Sequence, residues 1–150
     1  MRRKIASHYA LINGHLERNI IIEVDDRTIT AIEHCDNIDC HAGVEFYPGI
    51  LIAGMVNAHC HLELSYLRDA ISEGSGFAGF AGAIGRVRNN FSDEERLRAA
   101  STADAIMWEE GVEAVADIAN DRLVMPIKER SAIHYHTFIE FFGLNNHSVE

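Results

Sequence analysis

The chain has 150 residues, the size of one ordinary domain, and 47% of them are apolar, enough to form a core. The 23 acidic and 13 basic residues leave a formal net charge of −10, which argues against nucleic-acid binding, since phosphate contacts need clustered Lys and Arg. Three cysteines, an odd number, exclude a disulfide framework and fit a reducing, cytoplasmic setting, and neither a signal-length apolar run after Met1-Arg2-Arg3-Lys4 nor a membrane-length one elsewhere is present.

Residues 4–47 read as all-β. Lys4 to Ile12 alternates and ends at Asn13-Gly14, a strong hairpin signal. Leu16 to Val24 follows, with Ile20, Ile21 and Ile22 at its centre. Asp25-Asp26-Arg27 is the next turn, and Thr28 to Cys35 is a third strand. The three strands are expected to form one small meander with an open edge.

The pattern changes at Ile50. Ile50 to Asn57 is a continuous apolar stretch, expected as a buried strand. The segment Gly74 to Gly82 is glycine-rich, but no Gly-Lys-Ser/Thr follows, so it is not a phosphate loop. It is expected as a loop that feeds a helix over Phe80 to Asn89. Ser92-Asp93-Glu94-Glu95 is a capping box that opens a helix to about Glu110. Leu97, Ala100, Ala103, Ala105, Ile106 and Trp108 supply its apolar positions, and Gly111 ends it. Val112 to Ile118 is a second strand, Arg122 to Arg130 a short helix with Pro126 early in it, and Ile133 to Phe142 a third strand stopped by Gly143. Strand alternating with helix predicts a parallel α/β sheet. Leu144 to Glu150 carries no cap or closing element and is expected to be the start of an interrupted loop.

His59 and His61 end the first of these strands. Side chains two apart in a strand point the same way, so two imidazoles can close on one divalent cation, while Cys60 and Leu62 face the other side. Two ordinary polar residues at a strand end is the plainer reading. A second His-x-His, His134 and His136, begins its strand instead of ending it. Chemistry in parallel α/β folds sits at strand C-termini, so this pair is expected to be structural. Glu140 lies nearer the productive end and is a candidate substrate contact. Glu63, just after the first pair, is another. Asp117 and Asn120 close the second strand, and Asp117 reads either as an acceptor for a histidine or as a loop cap. Cys60 reads as packing. Cys35, Cys40 and His41 lack a matching second pair and make a weak zinc motif.

The stretch Pro48-Gly49-Ile50-Leu51-Ile52-Ala53-Gly54-Met55-Val56-Asn57-Ala58-His59-Cys60-His61-Leu62 resembles the amidohydrolase superfamily, and the continuation Glu63-Leu64-Ser65 resembles its deaminase branch, near aminofutalosine deaminases and chlorohydrolase and cytosine-deaminase relatives. Gly111 to Asp117 is similar to that family's second barrel strand. The resemblance implies an α/β fold: a small sandwich-like all-β segment over 1–49, then the N-terminal part of a (β/α)8 barrel over 50–150. A complete barrel takes about 250 residues, so about three βα units are expected here. It also implies hydrolytic deamination of an amino-substituted heterocycle or nucleoside-like small molecule by water activated on one divalent metal, zinc first and iron second. His59 and His61 would be ligands. A third histidine, an aspartate and the acid/base glutamate would come from later strands, so the catalytic residue itself is unassigned and the isolated chain is expected to be inactive. Expected partners are a small-molecule substrate, no nucleic acid and no membrane, with a homo-oligomer left open. The alternatives are a truncated, non-catalytic relative that acts through partner association, and a compact metal-binding scaffold.

Overall fold

A computed structural model describes residues 1–72, 74 and 76–140, with the side chain of Cys40 outside that set. The strand expected over Lys4 to Ile12 is two strands. β1 (Arg2–Ala6) and β2 (Tyr9–Ile12) lie in different sheets, separated by Ser7 and His8. Ser7 Oγ donates to Gly49 O at 2.8 Å, and His8 Nδ1 accepts from Gly49 N at 3.1 Å. The second expected strand divides likewise into β3 (His15–Glu17) and β4 (Ile20–Asp25), with Asn19 at φ 56° between them. Asn13 and Gly14 take φ 50° and 81°, the positive pair that a two-residue hairpin needs, and join β2 to β3. β5 (Thr28–His34), β6 (Val44–Phe46) and β7 (Ile50–Leu51) complete this unit, which runs from Met1 to Ala53.

The single expected meander is therefore two sheets, ordered β5-β4-β1-β6 and β3-β2-β7. Alternation sets which face of a strand is apolar, but the short breaks decide which sheet it joins. Ala10, Ile20 and Ile22 form the core, with Ile5, Ile12 and Leu51 against them. Both sheets contribute, as in a sandwich. On β1, the Arg3 fork reaches Glu45 of β6 at 2.8 and 2.6 Å and holds the Glu45 carboxyl down at about 2.

The second unit begins at Gly54. Ile50 and Leu51, expected in its first strand, pair instead with Tyr9 and Ala10 of the first unit. The strand proper is β8 (Met55–Cys60). A Cβ on Gly54 would lie 2.0 Å from Glu113 Cγ, so the chain enters this strand through a gap that fits only hydrogen. β8 is not buried as expected. Val56 is 68% exposed, because only one face of the sheet is covered.

α1 (Gly76–Val87) starts earlier than expected and includes most of the glycine-rich segment. Gly76, Gly79, Gly82 and Gly85 recur every three residues, a spacing that winds slowly around the helix. α2 (Asp93–Glu109) opens on the expected capping box. Glu95 N donates to Ser92 Oγ at 3.3 Å, and Ser92 N donates to Glu95 Oε2 at 2.8 Å. Its buried stripe is Ala100, Ala103 and Met107. Ile106 and Trp108, expected on that stripe, are exposed at 36% and 41%, so hydrophobicity alone misplaced the face by one residue. Gly111 at φ 85° ends the helix.

β9 (Val112–Ala119), α3 (Met125–Arg130) and β10 (His134–Ile139) follow. The sheet order is β10-β9-β8, parallel throughout, with a helical crossover between each successive pair. Leu62, Ala100 and Val124 form the core on the helix-covered face, with Cys60, Met107 and Tyr135 against them. The expected end of the last strand, Phe141 to Gly143, and the loop Leu144 to Glu150 lie outside the described residues. Among the described residues no helix is long and apolar enough to cross a membrane.

Candidate metal centre

Register places the two histidines. Val56 of β8 is opposite Ala114 and Asn57 opposite Val115, then the register shifts and Cys60 is opposite Asp117. Asn57 makes the shift. Its Oδ1 accepts from His59 N at 3.2 Å, while its Nδ2 reaches Met107 Sδ at 3.8 Å on α2. Cys60 stays on the helix-covered face, where burial first and Asp117 second push its thiol up to about 11. His59 and His61, on either side of Cys60, take the opposite, open face. Their ring centroids are 5.3 Å apart at 67°.

β8 ends at Cys60, so His61 is already the cap of the 3-10 turn Leu62–Leu67. His61 Nδ1 is buried and has no hydrogen-bond partner among the described residues. Leaving such a nitrogen unpaired costs about 1–3 kcal/mol. A buried imidazole nitrogen without a partner, beside a second imidazole at a strand C-terminus, fits a divalent cation. Among the described residues no group of three or more His, Cys, Asp or Glu side chains is placed to hold one, so this pair is a partial ligand set.

The residues around the pair are held by charge. Asp117 is fully buried. Its Oδ1 accepts from Leu62 N at 2.7 Å, and its Oδ2 accepts from Lys128 Nζ. Lys128 also donates to Thr137 Oγ1 at 3.2 Å. Asp117 thus serves the backbone beside His61 and a lysine, and not a histidine ring, the other role open to it from sequence. Lys128 is a buried, paired charge beside the site that sequence reasoning missed. Its signal was its place at i+4 from Val124 and i+1 from Ile127, on the buried stripe of α3. Nearby, Tyr135 donates to Asp104 at 2.7 Å. Burial first, and Asp104 second, hold its phenol protonated well above the usual range.

Glu63, one of the two predicted substrate contacts, is 2% exposed. Its carboxylate accepts from Asn120 N at 2.8 Å, Asn120 Nδ2 at 2.9 Å and Asp121 N at 3.1 Å, clamping the loop after β9. Asn120 Nδ2 also donates to Glu140 Oε2 at 3.3 Å, which brings the second predicted contact into the same cluster. His61, Glu63 and Glu140 line one cavity of about 230 Å³, with Phe77, Phe80 and Arg88 across from them. A wider hollow of about 740 Å³ along α2 includes neither histidine, and nothing in its lining suggests chemistry. His134 and His136 lie opposite Ala114 and Ala116, toward the other end of the sheet from His61. Cys35 Sγ donates to Asn19 O at 3.3 Å.

No protein-family model matches the sequence, and no curated protein does. Solved structures do match. Aminofutalosine deaminase from Helicobacter pylori, in complex with methylthio-coformycin, matches over 95% of this chain and 36% of its own, with a TM-score of 0.80 at 22% identity. Guanine deaminase from C. acetobutylicum, with bound guanine in the active site, matches over 91% of this chain and 36% of its own, with a TM-score of 0.69 at 12% identity. An atrazine chlorohydrolase from Arthrobacter aurescens, complexed with zinc, matches over 91% and 35%, with a TM-score of 0.66 at 18% identity. The likeness is one of fold, to the N-terminal portion of amidohydrolase-type deaminases and hydrolases. The chain spans little more than a third of their length.

Proposed function

We propose that this chain is the first metal-holding portion of an amidohydrolase that cleaves C–N bonds, and that its reaction is hydrolytic deamination of an amino-substituted heterocycle or nucleoside-like substrate. The observation that carries the proposal is the His59–His61 pair on the open face at a parallel strand's C-terminus, with the buried Nδ1 of His61 unpartnered. The fold neighbours support it: two are deaminases, and one is a hydrolase complexed with zinc.

His59 and His61 would hold one divalent cation, zinc in the first place and iron in the second. When bound, it supplies a Lewis acid that lowers the pKa of water toward neutrality. Glu63 fixes the loop at Asn120 and Asp121, and so shapes the cavity floor on which a substrate would rest. Glu63 is not the proton shuttle, because three N–H donors already engage its carboxylate. Glu140 reaches the same cavity and is proposed to orient substrate with Asn120. The acid/base glutamate and the remaining ligands are proposed to come from outside residues 1–150, so these residues alone should give no turnover.

The test is ammonia release from amino-substituted purines and nucleosides by the intact native protein, supplied with zinc or iron. Wild type should turn over, and His59→Ala and His61→Ala should not. Turnover by the double variant at the wild-type rate would contradict the proposal. The exposure of Val56 and Phe138 on the open sheet face favours a second reading, in which this face works only when a further polypeptide surface covers it.

A further inference from the structure

We infer that the buried Asp117–Lys128 pair is a positioning device for His61, setting its place through the backbone of the next residue. The inference rests on His61 being a metal ligand, as proposed above.

The two charged side chains are almost completely withdrawn from water, 0% exposed for Asp117 and 3% for Lys128. Isolated buried charges are costly, and a buried ion pair is at best a weak source of stability. What this pair does hold is geometry. Asp117 is on β9, Lys128 on α3 and Thr137 on β10, and Lys128 bonds to both of the others. Lys128 thus holds one oxygen of the Asp117 carboxylate while itself anchored to β10. Its other oxygen takes Leu62 N at 2.7 Å.

Leu62 N belongs to the peptide that leaves His61, at the point where β8 has ended and the 3-10 turn begins. His61 therefore has no strand ladder to hold it on that side. The capping position has φ −126° and ψ 78°, and no side-chain cap bond forms there. The Asp117–Leu62 bond is the tie that stands in for the ladder. One residue further, Glu63 ties the same turn to Asn120 and Asp121. An imidazole that must meet a metal within a few tenths of an ångström needs such support. Neither Asp117 nor Lys128 is among the residues that line the cavity beside His61, so the role inferred for the pair is positional.

The experiment measures Co²⁺ and Zn²⁺ affinity of the intact native protein by the cobalt absorption spectrum and by zinc competition. Asp117→Leu/Lys128→Met removes the pair, leaves no buried charge, and takes away the Leu62 acceptor. Asp117→Asn/Lys128→Met also removes the charges but keeps an oxygen for Leu62 N. The first should lose about 10–100-fold in metal affinity with an altered cobalt spectrum, and the second should stay near wild type. Equal affinity in wild type and Asp117→Leu/Lys128→Met would overturn the inference while leaving His61 a ligand. A wild type that binds neither metal would overturn the metal reading and the inference with it. Should a variant fail to fold, hydrogen exchange on the wild type decides, since coupling is reciprocal. Metal loading should slow exchange at the Leu62 amide more than at Val115, and an unchanged Leu62 amide would overturn the coupling.

Discussion

The sandwich of Met1–Ala53 and the parallel sheet of the unit that begins at Gly54 use opposite chemistry to hold their interiors. The sandwich core is aliphatic, Ala10, Ile20 and Ile22 against Ile5, Ile12 and Leu51 from both sheets. The sheet of the second unit has its aliphatic core on one face only, and it buries Glu63, Asp117 and Lys128 among the elements that approach His61. Apolar packing is tolerant of small shifts, whereas a buried carboxylate accepts only the donors placed for it. The difference is one of precision: the charged interior belongs to the unit whose first parallel strand leads into His59-Cys60-His61.

Substitutions can break or sharpen that contrast. Lys128→Met leaves Asp117 buried without its cation and should cost about 3–5 kcal/mol, read by urea unfolding through Trp108, the sole tryptophan. A loss below about 1 kcal/mol would mean that water reaches the pair. In the sandwich, Ile20→Ala should cost about 2–5 kcal/mol through the cavity it leaves. Its loss should be recovered by Ile20→Val to within about 1 kcal/mol, which no conservative exchange at Lys128 should match. Glu63→Gln turns an amide N–H toward donors and should cost about 1–3 kcal/mol, with faster hydrogen exchange at Asn120 and Asp121.

The smallest effect is at the cap of α2, which lies outside both interiors. Ser92→Ala should cost about 1 kcal/mol. The Ser92 backbone N–H first, and its hydroxyl second, hold the Glu95 carboxyl below its usual value. A lowered folded pKa means the contribution is present above about pH 4.3, the ordinary glutamate value, and is lost as pH falls through the folded one. The difference between wild type and Ser92→Ala should therefore be flat near neutrality and shrink in acid. A difference that grows in acid would contradict the cap.

Much of this was legible in sequence where one residue type has one physical role. Asn13-Gly14, the Ser92–Glu95 box and Gly111 each fall where turn and cap chemistry puts them. The His59–His61 pair was legible because an apolar run stops there. Sheet membership was not. Ser7-His8 and Asn19 look like ordinary strand residues, and only their bonds and backbone angles to distant segments divide one meander into two sheets. Lys128 was hidden for the opposite reason. A lysine on a short helix reads as solvated unless its buried carboxylate is known, and Asp117 is eleven residues away on another element.

The most direct test is the metal content of the intact native protein, purified without chelator and measured by elemental analysis, beside His59→Ala/His61→Ala. The account predicts about one zinc or iron per chain in wild type and none in the variant, with the variant still folded. Metal at the same stoichiometry in the variant, or none in a folded wild type after zinc is supplied, would contradict the placement of the centre at His59 and His61.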